Sequence, residues 1–255
     1  MRMIDSHCHF DDVRFDHDRD AAYRRAIQAG VLAQVIPGVT AQDWPRIERI
    51  CQRYRGLYPA YGVHPLFLHL HGEGDIQTLD AWLDKKQRVA VGECGLDFFV
   101  ENPQRERQQW WFESQLALAQ NHHLPVIIHA SRAVEEVINT LRHFPTLHGV
   151  LHSYSGSEQQ ARRLMEMGFM MSFGGPVTYD RAQRLRKLVS QLPLDYIMLE
   201  TDAPDQPDQH NRGGRNEPAM LGRVLDSISE LRDEPADVIA EITTQNAFRL
   251  FGISA

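Results

Sequence analysis

The chain reads as an α/β protein, a single-domain (β/α)8 or TIM barrel. Three observations predict this: eight short β-rich runs, stretches of helical spacing after most of them, and histidines and carboxylates falling where the runs end. At 255 residues the length suits one barrel. No Pro/Ser-rich linker, low-complexity tract or internal repeat divides it, so residues 1–255 are read as one domain.

Taken in order, the first strand is Met3–Ser6, and it runs into "HCH". Residues i and i+2 of an extended chain share a face, so His7 and His9 project side by side while Cys8 points away. Leu32–Ile36 and Leu57–Tyr61 follow as strands two and three, the latter leading to His64 in "YGVHP". Strand four, Val89–Gly92, delivers Glu93; strand five, Pro125–Ile128, delivers His129; strand six, Gly149–Leu151, delivers His152. Phe169–Ser172 is the seventh strand, and Tyr196–Leu199, the eighth, leads to Asp202. Among the helices, Arg105–Gln120 repeats large residues every three or four positions, which assigns Trp110 and Trp111 to the core. A last helix, from about Pro235 to Phe251, is expected to pack across the outside. A second H-x-H, His69 and His71, follows no apolar strand and is read as surface loop.

Composition narrows the class. The net charge of −7 is the wrong sign for a protein that coats nucleic acid, although it permits an enzyme that takes one strand end. Three widely spaced cysteines without a C-x-x-C pair argue against a disulfide framework or a thiolate zinc site. No run of roughly 18 apolar residues is present and no signal segment is recognised, so a cytoplasmic location without membrane association is expected. The basic cluster Arg181, Arg184, Arg186 and Lys187 is read as a solvated helix face, and nothing points to an obligate protein partner.

In a barrel the C-terminal strand ends converge on one mouth. His7, His9, Glu93, His129, His152 and Asp202 would therefore form one site, and clustered histidines and carboxylates signal a metal centre. Four imidazoles and two carboxylates exceed the needs of one tetrahedral zinc, so two divalent ions about 3.5–4 Å apart are expected to share them. Zinc suits the imidazoles, while manganese and magnesium remain open.

The motifs "IDSHCHF", "YGVHP", "GECGLDFF", "VIIHASR", "LHSYSG", "LETDAP" and "NEPAML", with the "TTQNAFRLFG" ending, make the chain resemble the TatD-family metal-dependent hydrolases, TatD-like deoxyribonucleases of the amidohydrolase superfamily. The resemblance implies that His7, His9, Glu93 and Asp202 hold one metal and that Glu93, His129 and His152 hold the second, Glu93 bridging. It places His64 beside the metals, against the scissile phosphate. Water between two cations loses proton affinity, so hydroxide becomes available near neutrality. Asp202 then accepts the proton and passes it to the leaving oxygen.

Arg132 is a candidate phosphate clamp, Tyr154 a candidate base-stacking residue, and Arg212 and Arg215 candidate attractors of phosphate, opposed by Asp205 and Asp208 in the same loop. The implied substrate is DNA, single-stranded or at a 3′ end. Two alternatives stay open: hydrolysis of another ester or amide, such as a D-aminoacyl-tRNA, and a noncatalytic metal-binding role.

Overall fold

The computed structural model describes residues 1–85 and 87–253. Eight parallel strands lie side by side in chain order: β1 (Met3–Asp5), β2 (Val31–Pro37), β3 (Leu57–Tyr61), β4 (Ala90–Asp97), β5 (Val126–Ser131), β6 (Gly149–Leu151), β7 (Phe169–Phe173) and β8 (Ile197–Leu199). The sheet curls into a (β/α)8 barrel whose seam is bridged by a 2.9 Å bond from Ser6 N to Leu199 O. Helices follow the strands: α1 (Arg19–Gln28), α2 (Trp44–Arg53), α3 (Asp75–Leu83), α4 (Arg105–Asn121), α5 (Val134–Leu141), α6 (Glu158–Glu166) and α7 (Gln183–Gln191), then α8 (Leu221–Arg232) and α9 (Ala236–Phe251) after β8. Because helices cover the outer face and side chains fill the lumen, the strands read as nearly continuous buried runs.

The core has two layers. One lies between the helices and the sheet and contains Trp44, Ile47, Phe112 and Leu116. The other fills the lumen with Ile4, Val35, Ala60, Ile127, Val150 and Met198, and Ala247, Leu250 and Phe251 of α9 complete it. The last helix therefore plugs the floor of the barrel instead of lying across its outside. Its i, i+3 and i+4 spacing aims those three side chains at the lumen.

β4 and β5 run several residues past the ends the sequence suggests. β4 continues through Glu93 to Asp97 and β5 through His129 to Ser131, so both site residues belong to the sheet itself. Pairing passes from Val91–Val126 to Cys94–Ile128, which puts one extra residue on β4. Such a bulge re-aims side chains, and here Glu93 N is tied back to Gly38 O at 2.9 Å. Farther along, Gly95 has φ +135°, and a Cβ there would lie 2.1 Å from His129 O, so only glycine lets the two strands pass this closely.

Two other expectations change. Trp111 is buried, but Trp110 is 40% exposed, because the buried face of α4 runs through Gln108, Trp111, Phe112 and Gln115 and leaves Trp110 at its edge. His69 is exposed as expected, whereas His71 is buried, with its ring 5.8 Å from that of Trp111 and Nδ1 3.0 Å from Asp75. Packing under α4 removes it from the surface. The cysteines Cys8, Cys51 and Cys94 are free and buried.

Candidate metal centre

The seam of the barrel brings the two ends of the chain's site together. Beyond the Ser6–Leu199 bond, Asp202 N donates to His7 O at 2.9 Å and His9 N donates to Ala203 O at 2.8 Å. Beneath them, the Asp5 carboxylate accepts from Thr201 N at 2.9 Å and from the Thr201 hydroxyl at 2.5 Å. Burial pushes the Asp5 pKa up to about 8 despite these bonds. The strand alternation then turns His7 and His9 into the mouth, and Asp202, in the left-handed region at φ +55°, brings Oδ1 to 3.5 Å from the Nε2 atom of each.

Glu93 divides its two oxygens. Oε2 lies 3.1 Å from His7 Nε2 and 3.6 Å from His9 Nε2. Oε1 lies 2.8 Å from His152 Nε2, 3.1 Å from His129 Nδ1 and 3.2 Å from His64 Nε2. The nitrogen atoms crowd as well: His7 Nε2 is 3.3 Å from His9 Nε2, and His129 Nδ1 is 3.2 Å from His152 Nε2. Ligands at about 2.0–2.1 Å from a tetrahedral zinc stand about 3.3 Å apart, so these separations fit divalent ions held between the side chains. Among the described residues, the histidine and carboxylate groups able to hold a metal fall into three overlapping sets: His7, His9 and Asp202; His7, Glu93 and His152; and His64, Glu93 and His129.

Charge in the cluster follows from burial and proximity. Burial would raise the Glu93 carboxyl, but His152, His64 and His7 outweigh it and hold the group well below the usual carboxylate range. Burial, with His152 stacked 3.9 Å away, lowers His7 to about 4. For His152 burial works in the same direction, yet Glu93 overrides it and raises the ring to about 10. Metal uptake must displace the proton that this pairing retains.

His64 differs from its neighbours. Its Nδ1 accepts from Leu66 N at 3.1 Å, which leaves the proton of the neutral ring on Nε2, facing the centre. Burial lowers its pKa further and favours that neutral form. His64 is therefore built as a hydrogen-bond donor toward whatever sits beside Glu93.

Besides Asp5, the buried carboxylates Asp97 and Glu200 escaped the sequence reading. Asp97 accepts from His129 Nε2 at 2.8 Å, and Glu200 accepts from Ser153 N at 2.7 Å while its Oε1 lies 3.8 Å from His152 Nδ1. Both stand behind an imidazole of the cluster. The signal for Asp97 was present in "GECGLD", since Glu93, Gly95 and Asp97 alternate on one strand face.

The centre opens into a cleft of about 750 Å³, lined among others by Phe67, Arg132 and Asp205. Arg132 is exposed and sits over the ring of Phe99 at 4.4 Å, with no carboxylate partner among the described residues. Tyr154 reaches the cleft wall but is 2% exposed, and its hydroxyl donates to Ser157 O at 2.8 Å. That packing against the rim removes the ring face expected to receive a base.

The two arginines of the last loop do not line the cleft. Arg212 is exposed elsewhere, and Arg215 is paired with Asp18 at 2.7 Å and lies over Phe15. Nor does Asp208 face phosphate: it is buried, caps His210 and Asn211, and pairs with Arg223 at 3.0 Å. Asp205 does reach the rim, where it clamps Arg14 together with Asp12. Arg215, Asp208 and Asp205 are thus tied to charges outside the loop, on Asp18, Arg223 and Arg14.

Comparison with known proteins sets this geometry in context. Residues 4–252 match the family described as TatD related DNase. A protein of Escherichia coli K12, the uncharacterized metal-dependent hydrolase YjjV, is 42% identical over 99% of this chain and 98% of its own. The crystal structure of that TatD homolog superposes with a TM-score of 0.96, covering 99% of each chain. The Danio rerio protein tatdn3, named as a candidate deoxyribonuclease, is 32% identical over 98% of this chain and 97% of its own. An organophosphorus hydrolase variant from Deinococcus radiodurans, 11% identical over 98% of this chain and 93% of its own, shares the fold with a TM-score of 0.70.

Proposed function

The chain belongs to the TatD-related DNase family of metal-dependent hydrolases, and from that premise we propose that it is a deoxyribonuclease which shortens DNA from an exposed 3′ end with two divalent ions. The observation that carries the two-ion reading is Glu93, whose oxygens face separate sets of imidazoles. His7, His9, Glu93 and Asp202 would hold one ion, and Glu93, His129 and His152 the other. When bound, such a pair lowers the pKa of water and neutralises charge developing on a phosphoryl group.

The chain's own residues supply the remaining steps. Asp202 directs Oδ1 toward His7 and His9, while Oδ2 accepts from Gln206 and keeps a further lone pair. That carboxylate takes the proton from the attacking water and returns it to the leaving oxygen. His64, carrying its proton on Nε2, donates to a nonbridging phosphoryl oxygen and gains strength there as charge builds. Arg132 meets the adjoining phosphate with its two-pronged head.

The cleft's charge supports an end over the interior of a long strand. Along the rim formed by the loops after β8, β1 and β2, Asp12, Asp43 and Asp205 line the cleft. Arg14 and Arg46 on this side are already paired with aspartates. Flanking phosphates laid there would be repelled. The loops after β3 and β5 instead bring exposed Phe67 and Arg132 to the cleft, Arg132 resting on exposed Phe99 of the loop after β4 and having no carboxylate partner among the described residues, a surface suited to a base and one phosphate.

The deciding experiment strips the protein of metal, reloads it separately with magnesium, manganese or zinc, and assays end-labelled single-stranded DNA beside a D-aminoacyl-tRNA. Metal-dependent shortening from the 3′ end, abolished by Asp202→Ala, is the expected result. Intact DNA with cleavage of the tRNA ester would replace the phosphodiester reading with carbonyl chemistry at the same centre.

A further inference from the structure

Glu93, Gly95 and Asp97 alternate along β4, and Gly95 pairs with His129 on β5. The imidazole of His129 therefore lies between two carboxylates, with Nδ1 3.1 Å from Glu93 Oε1 and Nε2 2.8 Å from Asp97 Oδ2. His129 is the odd member of the cluster, since His7, His9 and His152 each bring Nε2 to Glu93. A neutral imidazole has one proton and one lone pair, and whichever nitrogen donates leaves the other to bind.

Asp97 is held in place to select between them. Its other oxygen, Oδ1, accepts from Phe99 N at 2.9 Å, and Gln108 clamps its main chain by accepting from Asp97 N at 2.7 Å and donating to Asp97 O at 2.9 Å. The residue is 5% exposed, so little water competes for Oδ2. We propose that Asp97 is a positioning residue that fixes His129 as its Nε2–H tautomer, keeping the Nδ1 lone pair for a divalent ion shared with His152 and Glu93. This assignment rests on the two-ion reading above.

The proposal makes an ordering that a structural role would reverse. Asparagine nearly matches aspartate in shape, so a residue needed only for packing tolerates Asp97→Asn better than Asp97→Ala. In the asparagine variant, however, Oδ1 stays with Phe99 N and the amide NH2 faces His129 Nε2. That nitrogen must then accept, so one proton moves from Nε2 to Nδ1 and occupies the metal-binding lone pair. Alanine removes the support without inverting the tautomer.

The test is zinc binding to metal-free full-length protein, by metal analysis and competition with a chelator, with circular dichroism to confirm the fold. Wild type should take up two zinc ions per chain. Asp97→Ala should weaken the second by about 10–100-fold, the usual effect of removing a carboxylate behind a histidine ligand. Asp97→Asn should weaken it more and retain about one ion per chain. Two ions in wild type with asparagine binding zinc as well as or better than alanine would overturn the role of Asp97. A wild-type chain that never takes up a second zinc would overturn the two-ion reading itself. As a measurement that needs no variant, 15N spectra of the zinc-loaded protein should show the His129 proton on Nε2 and a metal-shifted Nδ1. The reverse assignment refutes the proposal.

Discussion

Gly95→Ala perturbs the site through the backbone alone. The added Cβ would lie 2.1 Å from His129 O and 3.0 Å from both His129 C and N. Close carbon–oxygen contacts between strands stop at about 3.3 Å, so β4 and β5 must part by about 1 Å. Overpacking of that kind costs about 1–3 kcal/mol. Holding alanine at φ +135° costs about another 1–3 kcal/mol, because that region is open essentially to glycine. The combined loss of about 2–6 kcal/mol is a large part of the roughly 5–15 kcal/mol that stabilises a folded domain. In a chain of this size it should lower Tm by roughly 5–20 °C. The same parting stretches the contacts from His129 to Glu93 and Asp97, so zinc uptake should fall together with stability. Thermal unfolding of the metal-free variant and its zinc content test both effects. A variant melting within about 2 °C of wild type, with full zinc uptake, would refute the close-approach argument.

Other perturbations separate the floor, the rim and the surface. Phe251→Ala empties the plug of the lumen and should cost about 3–5 kcal/mol in urea unfolding while leaving KM unchanged. Arg132→Ala should raise KM for an end-labelled oligonucleotide about tenfold or more, with a smaller change in kcat, since a hydrogen bond to a charged group is worth about 1.5–3 kcal/mol. Equal KM values would place the substrate phosphate elsewhere. The Asp18 carboxyl is held well below its usual range, chiefly by hydrogen bonds from Arg215, with Arg25 adding a further bond. A depressed folded pKa stabilises fully above the unfolded value of about 3.9 and is lost as pH falls through the folded one. Asp18→Asn should thus lower stability at neutral pH and flatten its decline below about pH 4, and an unchanged acid limb in unfolding curves would contradict this.

The barrel was legible because the pattern of buried strands alternating with amphipathic helices repeats through the chain, so small errors at strand ends left the order intact. The six residues at strand ends were legible for the same reason: topology alone brings them to one mouth. What stayed hidden depended on register. The alternation of Glu93, Gly95 and Asp97 points to Asp97 only when the strand is carried past Gly92, and the bulge and the continuation of β4 then make it a partner of His129. In the last loop, sequence reveals the sign of Arg212, Arg215, Asp205 and Asp208 but not their pairing. Arg215 and Asp208 turn to Asp18 and Arg223, which lie far away in sequence or on another helix. Trp110 and Trp111 show the same limit, since helical spacing identifies a periodic face but adjacent aromatics leave open which one faces inward.

The seam between β1 and β8 also bears on the chain's biosynthesis. His7 and His9 leave the ribosome first, while Asp202, bonded to His7 through the backbone, arrives nearly two hundred residues later. At about 5–20 residues per second, that interval is roughly 10–40 s. Throughout it the nascent chain lacks the carboxylate assigned to proton transfer and the strand that closes the barrel. A chain terminated before that point lacks Asp202, so the centre proposed to cut DNA stays incomplete until translation has passed its final ligand.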